Sequence, residues 1–141
     1  MASDEPSAIR SIAVTREDVV TALESNLRSP GRTVLRVTPP FSGRMRARIH
    51  EAGTGEFVGE GEPVHLDPGD LVESVPPYPD PSTTEDELRA ADDEEYTPER
   101  HRERHVEAVE EWRAAVRSSL VGTTELGAGD GSEEVTVKAL G

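Results

Sequence analysis

Two long segments of the chain carry apolar residues at the spacing of an α-helix. The first follows Thr15, a residue type that favours the N-cap position, and ends before the helix-stopping Ser-Pro-Gly sequence at 29–31. Its apolar positions are Val19, Val20, Leu23 and Leu27. Because these positions share one face of a helix, the pattern predicts a helix over residues 16–28.

The second amphipathic segment lies in the C-terminal half. Thr97 is a good N-cap, and Pro98 occupies the first helical position, where proline is favoured. The apolar stripe that follows consists of Val106, Val109, Trp112, Val116 and Leu120. These spacings predict a long helix that ends near Gly122 and buries the stripe in the core. A shorter helix is predicted to begin at Thr84 and to end near Ala91.

Between and after the helices, polar and apolar residues alternate with the period of two that is typical of β-strands. The clearest case is the segment 44–50, in which Met45, Ala47 and Ile49 alternate with three arginines. The predicted strands are Thr33–Thr38, Arg44–His50, Glu56–Gly59 and Glu62–Leu66, which would form an antiparallel meander, and a terminal strand Glu134–Leu140.

These elements predict a single α+β domain over residues 9–141. Its small antiparallel sheet of about four or five strands is expected to pack against the N-terminal helix and the long C-terminal helix. Residues 1–8 are small and polar, which predicts a disordered tail. The proline-rich segment 76–81 predicts an extended connector, with Tyr78 packed against the domain.

Charge changes the picture more than any other feature of composition. The 141 residues include 29 acidic and 15 basic side chains, and Lys138 is the single lysine. Residues 1–60 have no net charge, whereas residues 61–141 carry −14. Acidic excess with so little lysine is typical of proteins in multimolar KCl, where the Debye length falls to about 3 Å and carboxylate repulsion is screened. We therefore expect a halophilic protein; the alternative is an acidic surface that mimics DNA or sequesters cations.

Other features of composition exclude several kinds of site and location. The chain has no cysteine, which excludes disulfides, thiolate metal sites and cysteine nucleophiles. No apolar run approaches the roughly 18 residues of a membrane helix. Residues 1–6 are acidic rather than basic, unlike a secretory signal. The expected location is the cytoplasm, without a membrane partner.

Three segments together resemble a known family. They are VLRVTPPFSGRMRARIH at 34–50, PPYP at 76–79 and YTPERHRERH at 96–105. Through these segments the chain resembles a family of small acidic haloarchaeal proteins of unknown function. The resemblance implies a haloarchaeal lineage and carries over no activity or site residue.

The arginine-rich segment is the first candidate binding site. The alternation places Arg44, Arg46 and Arg48 on one face of a strand. Arg36 is expected on the neighbouring strand, and Phe41 is a candidate ring for stacking on a base. Guanidinium groups suit phosphate and carboxylate, so this pattern predicts binding of an anion or a nucleic acid.

A structural interpretation of the same arginines competes with this one. Three phosphate contacts to duplex DNA would lose about 500-fold in affinity for each tenfold rise in salt. The chain also has few rings for stacking, namely two Phe, two Tyr and one Trp. The preferred hypothesis is that the acidic C-terminal half covers the arginines and pairs with them. The candidate carboxylates are Glu103, Glu107, Glu110 and Glu111. Anion binding and a protein interface are the alternatives.

His101 and His105 are the second candidate site, because residues four apart on a helix can share a metal ion. His50 and His65 are possible further ligands. The sequence between the first pair departs from the zinc-protease motif, which needs a glutamate directly after the first histidine, whereas Glu103 comes two residues later. The preferred hypothesis is a pair of surface histidines, and no cofactor is predicted.

Taken together, the residues predict a noncatalytic cytoplasmic binding or interaction protein of a halophilic archaeon, with an unidentified protein as the first choice of partner. The alternative is a nucleic-acid- or anion-binding protein that uses Arg44, Arg46 and Arg48. A metal-dependent hydrolase that uses His101 and His105 is a distant third. An enzyme is not expected, because the chain shows neither a catalytic triad order nor a nucleotide-binding fingerprint.

Overall fold

Three helices and seven strands make up the regular structure of the described residues, which in this computed structural model are 5–29, 31–52, 62–91, 93–126 and 133–141. The helices are α1 (Arg16–Arg28), α2 (Pro81–Ala90) and α3 (Pro98–Arg117). The strands are β1 (Ser11–Thr15), β2 (Thr33–Val37), β3 (Arg44–Arg46), β4 (Arg48–Glu51), β5 (Val64–Leu66), β6 (Thr123–Leu126) and β7 (Glu133–Leu140). In the predicted tail, residues 1–4 lie outside the described range, and Pro6–Ala8 form one 3-10 turn.

The strands form two sheets. The larger sheet has the order β3-β1-β7-β6, with β1 parallel to both of its neighbours and β6 antiparallel to β7. The smaller sheet is antiparallel and has the order β4-β2-β5. The predicted α+β class, with its N-terminal helix and long C-terminal helix, is confirmed. The sheet differs from the expected one, because the described strands divide between a mixed sheet and an antiparallel one.

The strand predicted over residues 44–50 is divided at Ala47. Its first part, β3, pairs with β1, and its second part, β4, pairs with β2. The Ala47 amide donates to the backbone oxygen of Ala13 at 3.0 Å, and the Ala47 side chain is fully buried. One continuous strand is therefore replaced by two short strands that extend different sheets.

Two strands, β1 and β6, have no counterpart among the predicted elements. Buried Ile12 and Val14 alternate with half-buried residues along β1, so the alternation is present in the sequence. The segment β6 is short and mostly polar, and its pattern is weak. The predicted strand Glu62–Leu66 is observed as β5, and the predicted terminal strand is observed as β7. The predicted strand at 56–59 lies outside the described residues.

Capping side chains begin the two long helices as predicted. The Thr15 hydroxyl accepts a hydrogen bond from the Asp18 amide at 3.1 Å, and the Thr97 hydroxyl accepts one from the Arg100 amide at 3.0 Å. The helix α1 has the predicted bounds, whereas α3 ends earlier than the predicted Gly122. Within the described residues, no helix combines the length and the apolar character needed to cross a bilayer.

The helix α2 begins earlier than predicted. The Asp80 carboxylate accepts a hydrogen bond from the Ser82 amide at 2.8 Å, and Pro81 takes the first helical position. Thr84, where the helix was predicted to begin, lies inside the helix and is 3% exposed. The Asp-Pro pair determines the start of the helix because a proline is tolerated in the first turn and disrupts a helix further inside.

The core is formed by the inner faces of the sheets and the facing sides of α1 and α3. Its members include Ile12, Val14, Val19, Leu23, Leu35, Val37, Phe41, Trp112, Val116, Val135 and Val137. Trp112 and Val116 of α3 are buried, whereas Val106 is 56% exposed. The predicted apolar stripe of α3 therefore leaves the core halfway along the helix.

Polar contacts join α1, the proline-rich connector and α3. The Glu24 carboxylate accepts two hydrogen bonds from the Arg113 guanidinium, each 3.0 Å long, and one from the Tyr78 hydroxyl at 2.6 Å. The Trp112 indole donates to the backbone oxygen of Pro76 at 2.9 Å. The rings of Tyr78 and Trp112 meet edge to face, with centroids 5.0 Å apart. These contacts hold the connector against both helices.

Candidate anion-binding surface

The mixed sheet turns one face to the core and the other to solvent. Along β1 and β7, buried positions alternate with half-buried or exposed ones, which is the period of two expected when only one side of a sheet is covered. We call the outward side of this sheet the open face. Its outward residues include Ser11, Ala13, Arg44, Arg46, Thr136 and Lys138, and at the β6 edge also Glu125 and Glu134.

Basic side chains flank the centre of the open face. Residues in register on neighbouring strands point to the same side of a sheet, and Ala13 lies in register between Arg46 and Lys138. Arg44 lies in register with Ser11. Because strands are spaced about 4.8 Å apart, the backbones of Arg46 and Lys138 are about 10 Å apart. The small side chains of Ser11 and Ala13 therefore form a shallow floor between cations.

Among the described residues, no carboxylate neutralises these cations. Arg44, Arg46 and Arg48 are exposed, and no described acidic group lies within 4.0 Å of any of them or of Lys138. This arrangement differs from the preferred sequence hypothesis, which pairs the arginines with the acidic half of the chain.

The acidic residues that were expected to pair with the arginine strand have other surroundings. All four candidates lie on α3, and Glu110 pairs with Arg113 at 2.5 Å. Glu103 and Glu107 line a separate cleft with Arg100 and Arg104, which are arginines of the same helix. The acidic face of α3 is thus balanced in part by its own arginines.

Phe41 does not belong to the open face. Its side chain is fully buried among the core residues, so no face of the ring is accessible to a base. The expectation that Phe41 stacks on a ligand is corrected by this burial. A large aromatic side chain stabilises the core most when it is enclosed.

Arg36 and Arg48 belong to a second basic surface, on the antiparallel sheet. Arg36 lies in register with Arg48 on one side and with His65 on the other. One terminal nitrogen of Arg36 is 3.3 Å from both ring nitrogens of His50. The rings of His50 and His65 are 5.7 Å apart. Arg36 therefore lies beside Arg48, as expected. Arg44 and Arg46 are not its neighbours in a sheet, because β3 belongs to the mixed sheet.

The surroundings of His65 disfavour a positive charge on its ring. Burial is the largest cause that lowers the pKa of His65 below its usual 6.5, and the charges of Arg36, His50 and Arg32 lower it further. A neutral imidazole is favoured there at neutral pH.

His101 and His105 contact α2. The His101 Nε2 atom is 2.8 Å from the backbone oxygen of Pro81, and the His105 Nδ1 atom is 3.1 Å from the Thr84 hydroxyl. The two rings are 6.4 Å apart, and the other two histidines of the suggested set lie on the antiparallel sheet. The described part of the chain contains no cluster of three or more side chains that could hold a metal ion. In this structure the pair fixes α2 to α3.

Lys138 is a member of the open face that the sequence does not single out. The alternation of Val135 and Val137 with Thr136 and Lys138 predicts that the lysine points outward. The alternation does not show that β7 lies parallel to β1, one strand away from Arg46. Only that pairing makes Lys138 part of the same surface.

Comparisons with known proteins point to one family. A family model described as a domain of unknown function (DUF8009) matches residues 1–141. No curated protein and no solved structure matches the chain. The match agrees with the resemblance to proteins of unknown function.

Proposed function

The chain belongs to the DUF8009 family of domains of unknown function, and we propose that it is a noncatalytic binding protein whose open face takes an anionic ligand. The proposal places it in the cytoplasm of a halophilic archaeon. The net charge of −14 and the single lysine support a high-salt environment.

The observation that carries this proposal is the set of three exposed cations on the open face. Arg44, Arg46 and Lys138 lie on a surface that has small residues at its centre and no described carboxylate within 4.0 Å of these three cations. In a chain with 29 acidic and 15 basic residues, such a group is unusual. A sheet face with cations around a shallow floor suits a flat, negatively charged partner.

A single-stranded nucleic acid is the ligand class that this geometry favours. For single strands the slope of log affinity against log salt is about −0.7 per contact, so three contacts lose about 100-fold for each tenfold rise in salt. Charge alone is then too weak in multimolar KCl. The planar guanidinium groups of Arg44 and Arg46 supply stacking on unpaired bases, which salt screens less.

A protein partner is the second candidate, and one apolar residue favours it. Leu140 is 38% exposed and lies on the open face, in register with Thr15. An exposed leucine beside a basic group fits a protein that brings an acidic rim and an apolar centre. Affinity purification from a halophilic host in high KCl, with wild-type and Arg46→Glu baits, tests this candidate. A partner of this kind should bind the wild-type bait and be lost with the Arg46→Glu bait.

The experiment that tests nucleic-acid binding measures the anisotropy of labelled single-stranded RNA, single-stranded DNA and duplex DNA over a range of KCl. Wild-type protein should prefer the single strands. Arg46→Glu should weaken retention and reduce the salt slope by about 0.7, while the free energy of unfolding stays within about 0.5 kcal/mol. Lys138→Gln should reduce the slope by a similar amount.

The matched control is Arg102→Glu, which changes an exposed arginine of α3 by the same charge. It should leave the retention of single strands unchanged. Equal losses of retention for Arg46→Glu and Arg102→Glu would mean that the net charge of the protein, and not the open face, determines binding. A fall of about 1–3 kcal/mol in the stability of Arg46→Glu would show that this arginine pairs within the protein, as the first hypothesis held.

A further inference from the structure

A cleft lies between the C-terminal end of α1, the connector and α3. Its volume is about 520 Å³, within the range of about 300–1,000 Å³ that is usual for small-molecule sites. The side chains that matter here are Leu27, Arg28, Tyr78, His105, Val106 and Val109, all of which line it. None of them belongs to the open face or to the second basic surface.

Part of the wall of the cleft is apolar and accessible to water. Leu27 is 48% exposed and Val106 is 56% exposed, and both lie beside Val109 in the cleft. Val106 is the point at which the apolar stripe of α3 leaves the core. Covering such side chains with a hydrocarbon group is favourable, at roughly 0.8 kcal/mol for each methylene that leaves water.

Most polar groups around the cleft already have partners. The Arg113 guanidinium bonds to Glu24 and Glu110, and the Tyr78 hydroxyl bonds to Glu24. The Nδ1 atom of His105 bonds to Thr84. Two carboxylates, Asp80 and Glu110, also line the cleft, and each already has a partner, since Asp80 caps α2 and Glu110 pairs with Arg113. All these groups shape the cleft and are not available to pair with a ligand charge.

Arg28 differs from these groups. It lines the cleft and is exposed, and among the described residues it forms neither a side-chain hydrogen bond nor an ion pair. The nearby Glu24 charge is already compensated by Arg113. The one uncommitted guanidinium of the cleft therefore lies at the end of an apolar wall, which matches a ligand with a negative group at one end and a hydrocarbon body.

The size of the apolar wall indicates whether the cleft suits a small ligand or a protein. A stable protein interface uses about 20–30 residues on each side, whereas the aliphatic and proline side chains that line this cleft are only Leu27, Pro79, Pro81, Val106 and Val109. The carbonyl end of α1 lies next to Arg28 and disfavours an anion slightly. We infer that the cleft binds a small amphiphilic carboxylate, whose carboxylate contacts Arg28 and whose hydrocarbon chain lies on Leu27, Val106 and Val109.

The test titrates the full-length protein with hexanoate, octanoate, decanoate and 1-octanol below their aggregation limits. Methyl NMR signals of Leu27, Val106 and Val109 should shift together. Affinity should rise by up to about fourfold for each added methylene. Octanoate should bind more tightly than 1-octanol to the wild-type protein.

Two pairs of variants locate the contacts. Arg28→Gln should bring the affinity for octanoate down to that for 1-octanol, and Val106→Asp should weaken both ligands. The controls Arg32→Gln and Ile49→Asp change an exposed arginine and an exposed isoleucine that line neither the cleft nor the open face, and neither should alter binding. Failure of nucleic-acid binding on the open face would leave these results unaffected.

Several outcomes would overturn the inference. Equal binding of octanoate and 1-octanol, equal effects of Arg28→Gln and Arg32→Gln, or shifts spread over methyl groups outside the cleft would each do so. Sedimentation of the free protein as a dimer that Val106→Asp dissociates would assign the cleft to a second copy of the chain. If none of the four probes binds, the inference is also contradicted.

Discussion

Replacing Glu24 by glutamine removes the charge that joins α1, the connector and α3. The carboxylate is 9% exposed and accepts two hydrogen bonds from Arg113 and one from Tyr78. Burial raises the pKa of Glu24, but the hydrogen bonds from Arg113 and Tyr78 outweigh burial, and the pKa lies below its usual 4.5. The folded state therefore stabilises the charged form, and Glu24→Gln should destabilise the protein.

The magnitude follows from the number of bonds and their exposure. A hydrogen bond to a charged group contributes about 1.5–3 kcal/mol to stability. Glutamine keeps one acceptor oxygen. Its amide nitrogen is itself a donor and cannot accept the hydrogen bonds that Arg113 and Tyr78 donate to the carboxylate. The Arg113 side chain is 31% exposed and also contacts Glu110, so water and that carboxylate compensate in part. We expect the free energy of unfolding to fall by about 2–3 kcal/mol at neutral pH.

Glu17→Gln is the matched control for this substitution. Glu17 pairs with Arg117, so the same two helices and the same residue types are involved. The Glu17 side chain is 66% exposed, and exposed ion pairs contribute little because water and salt screen them. Its substitution should change stability much less than Glu24→Gln.

Urea denaturation followed by circular dichroism, in about 2 M KCl to screen surface charge, measures both variants. With an m-value of about 2 kcal/mol/M, Glu24→Gln should lower the midpoint by about 1 M. Since the folded-state pKa is depressed, the contribution of Glu24 is fully present above pH 4.5 and is lost as pH falls through the folded pKa. The wild-type and Glu24→Gln midpoints should therefore converge in acid. Equal midpoints at pH 7, or a gap that persists unchanged in acid, would refute the reasoning.

Three further predictions concern the whole chain, the histidines and the core. Melting curves by circular dichroism in about 2 M KCl and in about 10 mM buffer should differ sharply, because a net charge of −14 is self-repulsive when unscreened; identical curves would contradict the halophilic interpretation. Zinc should raise the melting temperature no more in wild-type protein than in His101→Ala or His105→Ala, and a stoichiometric shift that both substitutions abolish would restore the metal hypothesis. Phe41→Ala should lower stability by about 3–5 kcal/mol, measured by urea denaturation, since the ring is fully buried; a nearly unchanged midpoint would mean that the ring is dispensable to the core.

The starts of both long helices, and the bounds and buried face of α1, could be predicted from the sequence because their causes are local. Thr15 and Thr97 each bond to an amide three residues later, and the apolar spacing of α1 marks its buried side without reference to any other segment. The start of α2 shows the limit of a single local signal, since the Asp80-Pro81 pair takes precedence over Thr84. The outward direction of Arg44, Arg46 and Arg48 also follows from alternation alone.

The neighbours of those arginines depend on the tertiary structure. A strand with the right alternation can pair with several others, and its hydrogen-bonding partners come from distant parts of the chain. The pairing of β1 with β3 and β7 brings Arg46 and Lys138 to one surface, while β4 carries Arg48 to the other sheet. Likewise, an aromatic residue after two prolines has no pattern that distinguishes a stacking ring from a core ring, and packing encloses Phe41. Local hydrogen bonds determine the elements of this protein, and long-range pairing and burial determine which of their side chains share a surface.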